Sequence, residues 1–175
     1  MKQRDVLGDM LDLAADRLAA YGYLLTGTQH AGEDLVQDAI VKVFVRRRRL
    51  DGPQAAEAYV RAAMRTLHID RMRRETRWRG LLPKLADRSV APGPEAASVD
   101  QDRIGRALTS LAPQERTVVL LRFYDDLKIS DVAAHMHLAE GTVKRYLSNA
   151  LDKLAGEMGS IDDAAERVGL VEREK

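Results

Sequence analysis

The chain has 175 residues, room for one domain or two small ones, and no cysteine, which excludes disulfides and thiolate metal sites. No apolar run approaches a membrane span and the acidic start does not have the pattern of a signal peptide, so a cytoplasmic protein is expected. The net charge of +1 says little, but its distribution is uneven: three Lys/Arg face seven Asp/Glu in residues 1–41, twelve face four in 42–79, and the remainder is close to balanced.

Strand signals are nearly absent, and helical periodicity recurs along the chain. The first helix is expected over residues 6–23 and the second over 33–48. The second opens with Glu33 and Asp34, which suit the positive end of a helix dipole. Leu35, Val36, Ala39, Ile40, Val43 and Phe44 build its core stripe, while Asp34, Gln37, Asp38 and Val41 lie three or four apart on another face. That acidic face, with an apolar residue beside it, could receive a protein partner; standing alone it would be read as a plain solvent face.

A third helix is expected over residues 54–79, and it carries the basic belt. Arg61, Arg65, Arg71, Arg73, Arg74, Arg77 and Arg79 outnumber Asp70 and Glu75. Arginine supplies planar forks for phosphates and flat faces for bases, and Tyr59 and Trp78 add rings that could stack on unpaired bases. A solvated helix face, and a core role for Tyr59, are the plainer alternatives. Residues 80–100, with Gly80, Pro83, Pro92, Gly93 and Pro94, read as a linker between two all-helical domains.

Helices follow over residues 101–111, 113–124, 131–136 and 140–158, with Pro113 suited to a first helical turn. Residues 127–154 have a helix-turn-helix pattern. Val143, Leu147, Leu151 and Leu154 form one apolar seam, which leaves Thr142, Lys144, Arg145 and Ser148 near the N-terminal end of a recognition helix, facing a major groove. The acidic tail from residue 159 is weakly amphipathic through Ile161, Ala165, Val168 and Leu170. Catalysis finds little support. His135 and His137 have no third ligand nearby, no Gly-rich phosphate loop occurs, and no nucleophile stands at a base's spacing. No cofactor or metal is expected.

Four stretches together resemble the extracytoplasmic-function RNA polymerase sigma factors, over roughly residues 10–156. They are Tyr23-Leu24-Leu25-Thr26-Gly27; Glu33-Asp34-Leu35-Val36-Gln37-Asp38; Tyr59 through Arg74 with Ile69-Asp70-Arg71-Met72-Arg73-Arg74; and Leu111-Ala112-Pro113-Gln114-Glu115-Arg116 followed by Glu140-Gly141-Thr142-Val143-Lys144. The Arg/Ala-rich style is similar to actinobacterial members. The resemblance implies an all-α fold of two small helical domains joined by a flexible linker: sigma region 2 in 1–79, linker 80–100, the region 4 helix-turn-helix in 101–158, and a tail in 159–175.

It also implies partners and roles. Asp34, Gln37 and Asp38 would bind the clamp helices of the polymerase largest subunit. The loop of residues 51–56, with Asp51 and Gly52, would hold a flipped −10 base. Arg61, Arg65, Thr66, Asp70, Arg73 and Arg74 would lie along the −10 helix. Thr142, Lys144, Arg145 and Ser148 would face the −35 groove, and the last domain would sit on the polymerase flap. An anti-sigma factor that covers both domains is expected on the same ground.

The chain departs from the family pattern at four positions. The family often has Asn where Thr66 stands and usually Trp where Tyr59 stands. His137 occupies the turn position where Gly is usual, and Ala139 replaces the usual Ser cap, a loss of about 1 kcal/mol. A stand-alone helix-turn-helix regulator would explain residues 127–154 but not the basic or the acidic helix, and an RNA-binding protein would explain only the arginine belt.

Overall fold

The computed structural model describes residues 3–46, 50–81 and 99–167, and every element among them is helical. The chain divides into two units, Met1–Pro94 and Glu95–Lys175. Most of the expected linker, Arg47, Arg48 and Arg49 of the basic belt, and residues 168–175 of the tail lie outside the described residues.

The first unit is a three-helix bundle of α1 (Gln3–Thr26), α2 (Gln29–Arg46) and α3 (Pro53–Leu81), each packed on the other two. On α1, Val6, Met10, Ala14, Leu18, Tyr21 and Leu25 recur every three or four residues and are all buried. Leu35, Ala39 and Val43 of α2 meet them, with Ala56, Val60, Ala63, Met64, Ile69 and Met72 of α3. Burial of each large side chain contributes roughly 1.5–3 kcal/mol.

The Tyr-Leu-Leu-Thr-Gly run has a physical reason. Leu25 is core, Thr26 bonds back to the Gly22 carbonyl at 2.8 Å, and Gly27 takes φ +85 to end the helix, its N–H donating to the Tyr23 carbonyl. Thr28 then caps α2, its hydroxyl accepting from the Ala31 N–H at 3.3 Å. The helix thus starts a turn before Glu33, and the two acids expected at its dipole end stand inside it.

The second unit holds α4 (Val99–Ser110), α5 (Pro113–Val119) continued by one π-helical turn at Leu120–Tyr124, α6 (Ile129–Met136) and α7 (Glu140–Arg167). Helix α7 packs on α4, α5 and α6. It extends past the expected end at residue 158, so the first nine tail residues are helical. The Leu-Ala-Pro-Gln-Glu-Arg run is an anchor. Pro113 starts α5, and the buried Glu115 carboxylate accepts from the Ala112 N–H at 3.3 Å and from Lys153 Nζ of α7 at 2.7 Å. Arg116, also buried, donates to the Thr109 carbonyl at the end of α4. Val118, Val119, Leu120 and Leu121 fill the core beneath α6 and α7.

Candidate polymerase and promoter interfaces

Asp34, Gln37, Asp38 and Val41 are all exposed on the outer face of α2, as their spacing predicts. Val41 is 60% exposed and Val45, four residues on, 77%, so the face turns from acidic to apolar along the helix. His30 lies 3.7 Å from Asp34. Asp38 is ion-paired with Arg71 of α3, a cross-helix partner that no local spacing reveals.

Helix α3 begins where Gly52, at φ +98, turns the chain and accepts from the Ala56 N–H at 3.0 Å. That conformation suits glycine alone without strain. Asp51 is exposed beside it. Arginine 17 of α1 forks onto Glu57, with contacts of 3.2 and 2.8 Å, and Arg61 joins Glu57 at 3.0 Å while its guanidinium lies 5.6 Å from the Tyr21 ring centre. The Arg17 fork is the main cause that holds the Glu57 carboxyl below its ordinary value; partial burial opposes it, and the charges of Arg17 and Arg61 add to it.

The six residues expected along the −10 helix therefore do not share one face. Arg61 and Arg65, four apart, are half-buried, and Arg61 is committed to the bundle through Glu57 and Tyr21. Thr66 and Arg73, seven apart, are exposed on another side, two turns on from the partly exposed Tyr59. Asp70 is half-buried between them. Arg74 is exposed, its Nε donating to the Asp70 carbonyl at 3.2 Å. Tyr59 is thus not a core anchor, whereas His68 is buried.

The helix-turn-helix is α6, a tight turn and α7. His137 ends α6 at φ 55, ψ 44, with its N–H donating to Ala134 O and the Leu138 N–H to Ala133 O. That is the paired bonding a left-handed helix cap provides, and it meets the expectation of positive φ at this residue. Ala139 starts α7 with backbone bonds only, from the Thr142 and Val143 N–H groups. Lys144, Arg145 and Ser148 are exposed, and Thr142 is half-buried. The Arg145 guanidinium lies 5.7 Å from the Tyr146 ring centre.

One seam residue is corrected. Leu151 is 43% exposed, and Ala150 is buried in its stead, so the seam runs Val143, Leu147, Ala150, Leu154. Sequence reasoning also missed Phe123 and Tyr124, exposed on the π-helical turn, and the anchors Glu57, Arg71 and Glu115. Only the Glu57–Arg61 spacing of four was a local signal. Among the described residues no helix is long and apolar enough to cross a membrane, and no cluster of His, Asp and Glu could hold a metal ion.

Residues 11–78 match Sigma-70 region 2, and residues 101–154 match Sigma-70, region 4. The chain is 31% identical over 143 residues to the RNA polymerase sigma-E factor of Streptomyces avermitilis, covering 82% of this chain and 79% of that protein. It is 32% identical over 146 residues to the ECF RNA polymerase sigma factor SigE of Mycolicibacterium smegmatis, covering 80% of this chain and 56% of that one. A solved structure of the sigma factor RpoE in complex with the anti-sigma factor NepR from Bartonella quintana is similar, with TM-score 0.54 and 25% identity, covering 85% of this chain and 94% of that chain. The chain belongs to the extracytoplasmic-function RNA polymerase sigma factors. It is an alternative sigma factor, which directs polymerase core to promoter DNA; a stand-alone helix-turn-helix regulator would leave the region 2 match over residues 11–78 unexplained.

Proposed function

We propose that the two units divide the work as follows. The outer face of α2 binds the clamp helices of the largest polymerase subunit through Asp34, Gln37 and Asp38. The loop with Asp51 and Gly52 and the exposed side of α3, with Thr66, Arg73 and Arg74, bind the −10 element and begin its opening. Arg65 lends charge from the flank, and Arg61 supports the loop from within the bundle. On α7, Thr142, Lys144, Arg145 and Ser148 read the −35 element while the unit rests on the flap. The chain contributes no bond-making chemistry and acts in the cytoplasm.

The carrying observation is that Asp34, Gln37 and Asp38 are exposed together on one face of a helix whose other face is core. Replacing all three with Ala is expected to leave helicity unchanged and to lower affinity for core. Unchanged affinity in a titration would reject the assignment.

An anti-sigma partner that covers both units belongs to the same proposal. Its support is the similar sigma factor solved with NepR. Co-expression with small proteins of neighbouring genes is expected to yield one that blocks core binding. If each of them leaves core binding intact, this part of the proposal fails.

A further inference from the structure

The bend that leads into α3 carries a reactive pair that neither promoter nor polymerase binding uses. Asp51-Gly52 is the one place in the chain where a glycine follows an aspartate or an asparagine. Asp51 is exposed, and both residues lie in a bend outside any helix. Gly52 takes φ +98, and a Cβ on it would meet only Gln54 Oε1, at 3.9 Å. Its carbonyl accepts from the Ala56 N–H at 3.0 Å, while among the described residues no acceptor takes its own N–H. A carboxyl group thus stands in solvent next to a backbone nitrogen that no side chain shields.

The remaining aspartates differ. Of the others among the described residues, all but Asp125 and Asp126 stand in helices, whose hydrogen-bonded backbone cannot swing a nitrogen toward the side chain. Asp125 precedes Asp126 and Asp126 precedes Leu127, so each next nitrogen has a Cβ beside it, and the Leu127 N–H is held by the Leu121 carbonyl at 3.0 Å. Asn149, the sole asparagine, lies inside α7 and precedes Ala150.

We propose that Asp51-Gly52 is a self-modification site, at which the chain slowly converts to isoaspartate and so disables the loop before α3. The Gly52 nitrogen attacks the Asp51 Cγ. The N–Cγ bond forms, and one carboxyl oxygen leaves as water with the amide proton and one proton from solvent. Water then opens the five-membered ring. Cleavage of the new bond restores aspartate; cleavage at the backbone carbonyl instead carries the main chain through Cβ and Cγ. Nothing is oxidised or reduced, and the reacting atoms are held together by the chain itself, so no enzyme is needed. The product has one more main-chain atom ahead of Gly52 and a free carboxylate on the backbone, which displaces Asp51 from the start of α3 at Pro53. The chemistry goes beyond the proposed function; its consequence, loss of −10 binding with core binding kept, rests on the role proposed for this loop.

The test ages the full chain at neutral pH and physiological temperature, then follows the tryptic peptide of residues 50–61 by mass spectrometry. A second peak of equal mass is expected to grow, preceded by one lighter by a single water. The aged chain is expected to accept a methyl group from S-adenosylmethionine when an isoaspartyl methyltransferase is added, and Asp51→Glu is expected to abolish both signals. Holoenzyme made with the separated aged form is expected to bind a single-stranded −10 oligonucleotide about tenfold more weakly, the scale of loss for a positioned group moved by about 1 Å, with core affinity equal to the unaged chain's.

A native chain whose peptide stays single while the urea-denatured chain converts would overturn the proposal, because the fold would then shield the pair. So would an aged form that binds the oligonucleotide as the unaged form does. If the unaged chain itself fails to bind it, the role proposed for the loop fails, and that outcome is distinguishable because the peptide reads the chemistry without any DNA.

Discussion

Asp38 of α2 and Arg71 of α3 form an ion pair across the outer side of the first bundle. Both side chains are solvent-accessible, so the pair contributes about 1 kcal/mol or less. A partner that takes Asp38 would therefore give up little to break it. Arg71→Ala is expected to change unfolding free energy by less than about 1 kcal/mol and to leave core affinity equal or slightly higher. Asp38→Ala is expected to lower it. If both variants lose core affinity alike, Asp38 serves the bundle and not the polymerase.

A Cβ on Gly22 would meet the Gly32 carbonyl oxygen at 2.7 Å, and one on Gly32 would meet the Tyr23 nitrogen at 2.6 Å. Backbone faces backbone there, so neither helix can yield by turning a side chain. Gly22→Ala or Gly32→Ala is expected to cost about 3 kcal/mol, at the upper end for overpacked sites. Chemical denaturation measures it; a loss below about 0.5 kcal/mol would mean that α1 and α2 separate without penalty.

The turn between α6 and α7 carries two local costs. His137 holds a left-handed conformation that disfavours side chains by about 1–2 kcal/mol, and Ala139 offers no capping oxygen. His137→Gly is expected to stabilise the second unit by about 0.5–1 kcal/mol after the greater freedom of unfolded glycine is counted. Ala139→Ser is expected to add about 1 kcal/mol. Melting temperatures of the full-length variants check both, and a decrease in either would show that the turn adopts another geometry.

Because the Arg17 fork lowers the Glu57 pKa from its ordinary 4.5, the folded chain binds fewer protons there than the unfolded chain. This stabilisation is full above about 4.5 and is lost as pH falls through the depressed value. Glu57→Gln is expected to flatten the acid limb of the stability profile and to lower stability at neutral pH. An acid limb identical to the parent's would remove Glu57 as its source.

Arg145 is exposed near the start of α7, with Lys144 beside it. Arg145→Ala is expected to cost about 1–3 kcal/mol and to relax preference at one base of the −35 element, because an arginine fork pairs with a guanine edge. Lys144→Ala is expected to weaken all sequences evenly. A panel of single-base −35 variants separates them, and an even loss with Arg145→Ala would make it a phosphate contact.

Much of this was legible in the chain. Amphipathic period revealed the helices, and the exposed face of α2 followed from spacing alone. His137 was legible as a left-handed turn because glycine is the usual occupant. What was not legible depends on long-range geometry. Arg17 and Arg71 find Glu57 and Asp38 forty and thirty-three residues away, and no period encodes that. Leu151 fitted the apolar seam by residue type, but the packing of α7 on its neighbours buries Ala150 and leaves Leu151 exposed. Arg61 and Thr66 stood together among the residues expected along the −10 helix until the bundle assigned them to different sides of α3.

Run-off transcription with purified core polymerase tests the central claim most directly. Core plus this chain, given a randomised promoter library, is expected to yield transcripts that neither component gives alone. Their templates are expected to share two elements a fixed distance apart. Transcripts that are equal with and without the chain, or a chain that binds duplex DNA but never core, would contradict the account.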